Sequence, residues 1–132
     1  MYLLDSNVCI HLLNERHPAI ERSFRSRSPA EIALCSIVKA ELIFSARHSQ
    51  RVEANLQRLK LFFEPLTSLP FDDRCAEEYG QIRSDLTMQG KLIGPNDMLI
   101  AAIARAHDAI LVTHNANEFG RIIGLRMEDW EA

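Results

Sequence analysis

The chain has 132 residues and a mass of 15.0 kDa, with 47% hydrophobic and 25% charged residues. This is the size and composition of one ordinary globular domain that needs no disulfide or metal staple, and it excludes disordered, collagen-like and low-complexity classes. The formal net charge of −3, from 15 Lys+Arg against 18 Asp+Glu, argues against a broad basic nucleic-acid surface but leaves room for an enzyme whose carboxylates gather in one pocket.

Tyr2-Leu3-Leu4 is an apolar run that stops at Asp5, as a short buried parallel strand would. The opening ten residues lack a basic n-region, and Asp5 and Asn7 interrupt their apolar stretch, so no signal peptide is expected. Ser6 and Asn7 are good caps for a helix carrying Val8, Ile10, Leu12 and Leu13. Pro18 to Arg27 suits a short surface helix with Ile20 and Phe24 at i, i+4. Ile32 to Cys35 is a second buried strand, and Ser36 is placed to cap a helix over residues 37–46. Val52, Leu56, Leu59 and Phe63 form the stripe of an amphipathic helix. Leu66 to Leu69, between two prolines, is a third strand. Asp72 or Asp73 then caps a long helix whose apolar face is Cys75, Tyr79, Ile82 and Leu86.

Gly90 and Gly94 bracket a loop, and Pro95 opens a helix at its first turn, where its missing N–H does no harm. From Met98 to Ala106 that helix is apolar almost all round, which requires burial on several sides or at a dimer interface. Ile110 to Thr113 is a fourth strand, a turn containing Glu118 follows, and Leu125 to Met127 is a short edge strand. Strands alternating with helices imply a three-layer α/β/α fold around a central parallel sheet of four to five short strands, with residues 1–132 as a single domain. No apolar run approaches the ~20 residues of a membrane span. Cys9, Cys35 and Cys75 are odd in number and dispersed, as reduced core thiols are, so a cytoplasmic protein without membrane contact is expected.

Ligands of parallel sheets bind at the carboxyl ends of the strands, so acids just past strand ends carry most information. Asp5 follows the first strand directly; taken alone, it reads equally as the cap of the next helix. Glu41 shares a helix face with Ile37 and Val38, where a carboxylate is costly unless paired or metal-bound. Its plain alternative is an edge acid paired with Lys39 or Arg47. Asp97 sits in the first turn of the most buried helix, a position the helix dipole also favours for any acid. Glu118 lies in the polar loop after Thr113 and, by itself, reads as a solvated acid. Four acids from four segments approaching one sheet edge repel each other unless a divalent cation neutralises them. Oxygen ligands without His or Cys select Mg²⁺ or Mn²⁺, the ions of phosphoryl chemistry.

Other catalytic signatures are absent, including Walker A, G-x-G-x-x-G and G-x-S-x-G. Cys35 and Cys75 have no second Cys or His at zinc-ligand spacing, and His17, His48 and His107 read as surface residues. His114 lies in the loop after the fourth strand, next to the acids.

Five pieces in order, spanning the chain, resemble a PIN-domain ribonuclease of the VapC toxin type. They are Leu3-Leu4-Asp5-Ser6-Asn7; Ser36 to Glu41-Leu42; Gly94-Pro95-Asn96-Asp97 before Ile100-Ala101-Ala102; Leu111-Val112-Thr113 through Asn115 to Glu118-Phe119; and Gly124-Leu125-Arg126 with Glu128-Asp129-Trp130. The resemblance implies that Asp5, Glu41, Asp97 and Glu118 bind Mg²⁺, with Mn²⁺ as a substitute. Asp5, Glu41 and Asp97 would hold one ion, and Asp97 with Glu118 would support a second or position water. Ser6 and Thr113 would orient carboxylates or water, and Asn115 keeps its expected place. Ser6 stands where Thr is more usual, His114 where Asn is common, and Glu118 where many PIN domains have Asp.

The implied activity is endonucleolytic cleavage of structured RNA, the initiator tRNA anticodon region being a member of the substrate class, leaving 5′-phosphate and 3′-hydroxyl ends and inhibiting translation and growth. The implied partner is a cognate VapB antitoxin covering the early helices, with homodimerisation and a larger VapB–VapC assembly bound to operator DNA through the antitoxin. Ile10, Leu13, Leu56 and Phe63 are candidates for its apolar groove. Residues 39–60 hold five basic residues against two acidic, whereas residues 64–86 hold six acidic against two basic, so RNA attraction is expected along the first segment. Two other classes stay open: a catalytically silent binding module with the same fold, and a Mg²⁺-dependent phosphatase or phosphoacceptor. The latter lacks a second Asp two residues after Asp5, where Asn7 stands.

Overall fold

The computed structural model describes residues 1–132. Strands β1 (Tyr2–Leu4), β2 (Ile32–Cys35), β3 (Thr67–Leu69), β4 (Ile110–Val112) and β5 (Arg126–Glu128) form one all-parallel sheet in the order β3-β2-β1-β4-β5. Seven helices flank it: α1 (Ser6–Asn14), α2 (Pro18–Arg25), α3 (Ser36–Arg47), α4 (Val52–Phe63), α5 (Asp73–Met88), α6 (Pro95–Ala106) and α7 (Ala116–Phe119), with a 3-10 turn at Pro29–Glu31. The sheet residues Leu3, Leu4, Ile32, Ala33, Leu34, Cys35, Leu111 and Val112 are essentially inaccessible, which a parallel strand achieves only when both faces are covered. This is the expected α/β/α arrangement. No helix is long and apolar enough to cross a membrane.

The connectivity determines where chemistry can sit. The chain steps outward from β1 to β2 to β3, then returns to lay β4 on the other side of β1. β1 and β4 are therefore neighbours at the point where the strand order reverses, and their carboxyl ends open a crevice there. Tyr2 pairs with Ile110, Leu3 with Leu111 and Leu4 with Val112, so Asp5 and Thr113 leave the sheet at the same level.

Helix α6 begins at Pro95, and Met98, Ile100, Ala101, Ala102, Ile103, Ala104 and Ala106 are all buried. Its apolar circumference is covered within this chain, chiefly against α5 and the sheet, so a dimer interface is not needed to account for it. The carboxyl-terminal segment is tied down by Arg27, whose guanidinium lies 4.5 Å from the Tyr2 ring centroid and 4.7 Å from that of buried Trp130. All three cysteines are free and buried.

Several local expectations need correction. Ser36 is the first residue of α3 rather than its cap; Cys35 holds the cap position, with no side-chain hydrogen bond to the helix. Glu118 lies in a short helix rather than a turn, and β5 is shifted one residue onward, to Arg126–Glu128. His17 and His107 are half-buried, and the His17 ring caps α2 by accepting from the Ile20 amide at 3.5 Å.

Because α6 is packed on every side, the cavity left by Ile100→Ala has little room to collapse. The variant should lose ~2–5 kcal/mol of unfolding free energy with an unchanged denaturant slope in a urea titration. A loss below ~1 kcal/mol would contradict this packing.

Candidate functional site

The site begins with Asp5, the residue that β1 delivers to the crevice. Its amide donates to Val112 O at 3.0 Å, which extends the β1–β4 ladder by one bond. Its side chain is 8% exposed and makes two hydrogen bonds: Oδ1 accepts from the Ser6 amide at 2.6 Å and Oδ2 from Thr113 Oγ1 at 2.7 Å. Asp5 is thus the cap of α1, one of the two readings its position allowed, and Ser6 and Asn7 are not. One oxygen caps the helix and the other binds Thr113, so capping does not remove the carboxylate from the crevice.

Freed from capping, the Ser6 hydroxyl donates to Glu41 Oε1 at 2.6 Å. Glu41 is brought from α3 to the same edge, and Asn96 Nδ2 approaches its other oxygen at 3.5 Å. The alternative pairing of Glu41 with Lys39 or Arg47 is not formed. On the other side, Thr113 Oγ1 accepts from the Asn115 amide at 3.0 Å, and Asn115 Nδ2 donates to Glu118 Oε2 at 3.2 Å. A continuous polar chain therefore runs Glu41, Ser6, Asp5, Thr113, Asn115, Glu118. Its donors are hydroxyls and amides, which hold a carboxylate without cancelling its charge.

Asp97, in the first turn of α6, faces this chain without a hydrogen bond of its own. Burial, then the charges of Asp5, Glu118 and Glu41, push its pKa up to about 6. Burial also raises the Asp5 pKa, against the lowering effect of its bonds from Thr113 and Ser6, and Glu41 adds to the rise. None of the four acids has a Lys, Arg or His nitrogen within 4.0 Å. Four oxygen-bearing groups that mutually repel and lack a cationic partner fit a hard divalent cation. No three of them bring ligand oxygens within 4.8 Å of one another.

The rim contains residues that the pattern of acids alone did not indicate. Asp5 and Asn115 share a cleft of about 330 Å³ with Asn7, His11, His114 and Glu131. His114 is exposed, and its Nδ1 lies 2.9 Å from Asp129 Oδ2; that hydrogen bond and the nearby Glu131 raise its pKa. Asn96 was missed because its contact crosses from α6 to α3; its only signal was adjacency to Asp97.

Away from the acids, α1, α3 and α4 leave two apolar grooves on either side of buried Leu59. One is lined by Ile10, Leu13 and Leu42, with Arg58 at its edge. The other is lined by Ile43, Leu56 and Phe63, with Lys39, Arg47 and Lys60 around it.

The PIN domain family model matches residues 2–125. Ribonuclease VapC2 of Rickettsia felis is 36% identical over 132 residues, covering 99% of this chain and 98% of the relative. The tRNA(fMet)-specific endonuclease VapC of Shigella flexneri is 36% identical over 129 residues, covering 98% and 97%. Among solved structures, VapBC2 of Rickettsia felis bound to a promoter DNA fragment aligns with a TM-score of 0.88 at 35% identity, covering 98% of both chains. DNA-bound VapBC of Salmonella typhimurium aligns with a TM-score of 0.89 at 36% identity, covering 98% of this chain and 97% of the other.

The raised Asp97 pKa has a consequence for the metal-free protein. Between the ordinary carboxylate value of 3.8 and about 6, the folded chain holds a proton that the unfolded chain has released, so stability falls as pH rises through this window. Asp97→Asn should therefore unfold at higher denaturant than the parent above pH 6 in chelator, and at the same denaturant below pH 4. Equal midpoints at both pH values would show that neither burial nor the neighbouring carboxylates penalise a charged Asp97.

Proposed function

This chain belongs to the PIN-domain family, among the VapC ribonucleases, and from that membership we propose that it is the toxin of a VapB–VapC pair: a Mg²⁺-dependent endoribonuclease acting on structured RNA. The observation that carries the reading is the set of four carboxylates without a basic partner at the β1–β4 switch point. Asp5, Glu41 and Asp97 would hold the ion, with Glu118 supporting it or orienting water. When bound, Mg²⁺ supplies Lewis-acid catalysis to phosphodiester hydrolysis.

The chain's own contribution is pre-organisation. Thr113 fixes the Asp5 rotamer, Ser6 fixes Glu41, and Asn115 links Thr113 to Glu118, so the acids need little reordering when substrate arrives. Burial of Asp5 keeps bulk water from screening its charge. Water attack on the phosphorus would leave a 5′-phosphate and a 3′-hydroxyl. The name of the Shigella flexneri relative makes initiator tRNA the first substrate to try.

Cutting such RNA would inhibit translation and growth until a VapB partner covers the site. The relatives solved as VapBC complexes on DNA favour a VapB antitoxin that also carries operator DNA. The grooves on either side of Leu59 suit its apolar side chains: Ile10 is 39% exposed, while Leu13, Leu56 and Phe63 are half-buried. An arginine or lysine from the partner would pair with the open acids.

Purified protein should cleave initiator tRNA in Mg²⁺ and stop when EDTA is added. Asp5→Asn, Glu41→Gln and Asp97→Asn should each fold and lose at least ~10²-fold in rate, the size of a lost transition-state contact. Folded variants that retain full activity would overturn the assignment. Leu13→Asp should leave cleavage intact and weaken inhibition by the cognate VapB at least tenfold; unchanged inhibition would remove this groove from the interface.

A further inference from the structure

At the far end of α6 from Asp97 lies a second group of ligand-bearing side chains. Asp72, Cys75 and His107 each place a ligand atom (a carboxylate oxygen, Sγ and an imidazole nitrogen) within 4.8 Å of the others. His107 follows Ala106 at the end of α6, so at 1.5 Å per residue it lies about 15 Å from Asp97 along the helix. Asp72 and Cys75 come from the start of α5, which packs along α6. The cluster therefore belongs to neither the acidic crevice nor the apolar grooves.

Asp72 and Cys75 partner each other, but His107 is left out. His107 Nε2 is the one buried side-chain nitrogen or oxygen in the chain that has no hydrogen-bond partner. A buried imidazole nitrogen left unpaired is costly, and in native proteins it calls for a water or an ion. Cys75 is fully buried; its thiol lies 3.7 Å from Pro70 O and also bonds the Asp72 side chain, and burial, with that bond, pushes its pKa up. Asp72 caps α5 with Oδ1, which accepts from the Cys75 amide at 3.1 Å. Asp72 is exposed, so the cluster opens to solvent on that side.

We propose that Asp72, Cys75 and His107 form a three-ligand Zn²⁺ site with a water-accessible fourth position. A thiolate and an imidazole are the soft and borderline donors that select zinc over the oxygen-seeking ions expected at the crevice, and a carboxylate is a ligand zinc also accepts. Binding would release the Cys75 thiol proton to solvent, leave His107 neutral with one ring nitrogen on the metal, and keep Asp72 ionised. The ion would pin the start of α5 to the end of α6. No ligand-spacing rule reveals the set, because His107 lies 32 residues beyond Cys75 in the sequence and only the packing of two helices brings them together.

Co²⁺ titration of the full-length protein in saturating Mg²⁺ tests this, because a thiolate-to-cobalt charge-transfer band reports a sulfur ligand that the carboxylate crevice does not offer. The proposal requires a band saturating at one equivalent, bleached by one equivalent of Zn²⁺, and lost in Cys75→Ser. Affinity should fall by ~10-fold or more in His107→Gln. Zn²⁺ should also raise the Tm of the parent but not of His107→Gln, which replaces a half-buried side chain and guards against misfolding of the cysteine variant. Absence of the band in the parent, or an equal band in Cys75→Ser, would overturn the proposal. Mg²⁺-dependent RNA cleavage by the parent reports separately on the crevice.

Discussion

Four carboxylates held close together without a single basic partner are the constraint around which this molecule is organised. Such a group is destabilising in isolation: burial first, and then the charges of Asp5, Glu118 and Glu41, push the Asp97 pKa up to about 6. A protein retains it only by over-determining the geometry. Here the chain from Glu41 through Ser6, Asp5, Thr113 and Asn115 to Glu118 does so with hydroxyl and amide donors. An arginine in place of any of these donors would hold the acids as well but would neutralise them.

The fold supplies what the polar chain needs. Because the strand order reverses between β1 and β4, the residues after their last pair, Asp5 and Thr113, emerge side by side although 108 residues separate them. Helix α6, buried on all sides, fixes Asp97 through its packing rather than through hydrogen bonds. The overall charge of −3 then takes on a local meaning: part of the acidic excess is concentrated in the crevice, while positive charge gathers at the groove ringed by Lys39, Arg47 and Lys60. That distribution offers no continuous basic face for RNA, only local positive charge.

Three of the acids carry a local signal: Asp5 the end of an apolar run, Glu41 its place beside a helical stripe, and Asp97 the Gly-Pro before an apolar helix; Glu118, in a polar loop, was singled out only together with the others and by the family resemblance. The strand and helix order was legible for the same reason, since alternating buried strands and amphipathic helices have distinct periods. What escaped was the division of labour among neighbouring hydroxyls and acids. Asp5, Ser6, Asn7 and Ser36 all looked like caps; Asp5 caps α1 while the Ser6 hydroxyl is committed to Glu41 across 35 residues, and α3 begins at Ser36 itself without a side-chain cap. Asn96 beside Glu41 and His107 beside Cys75 were invisible for a related reason: each contact is made by two packed helices, and no sequence period encodes which faces meet.

The central claim, that these carboxylates are arranged to receive a divalent cation, is met most directly by anomalous diffraction from a crystal of the protein soaked in Mn²⁺. The account predicts a manganese peak enclosed by Asp5, Glu41, Asp97 and Glu118, with Ser6 and Thr113 still donating to their carboxylates. A crevice without manganese, with its acids turned onto basic side chains, would contradict it.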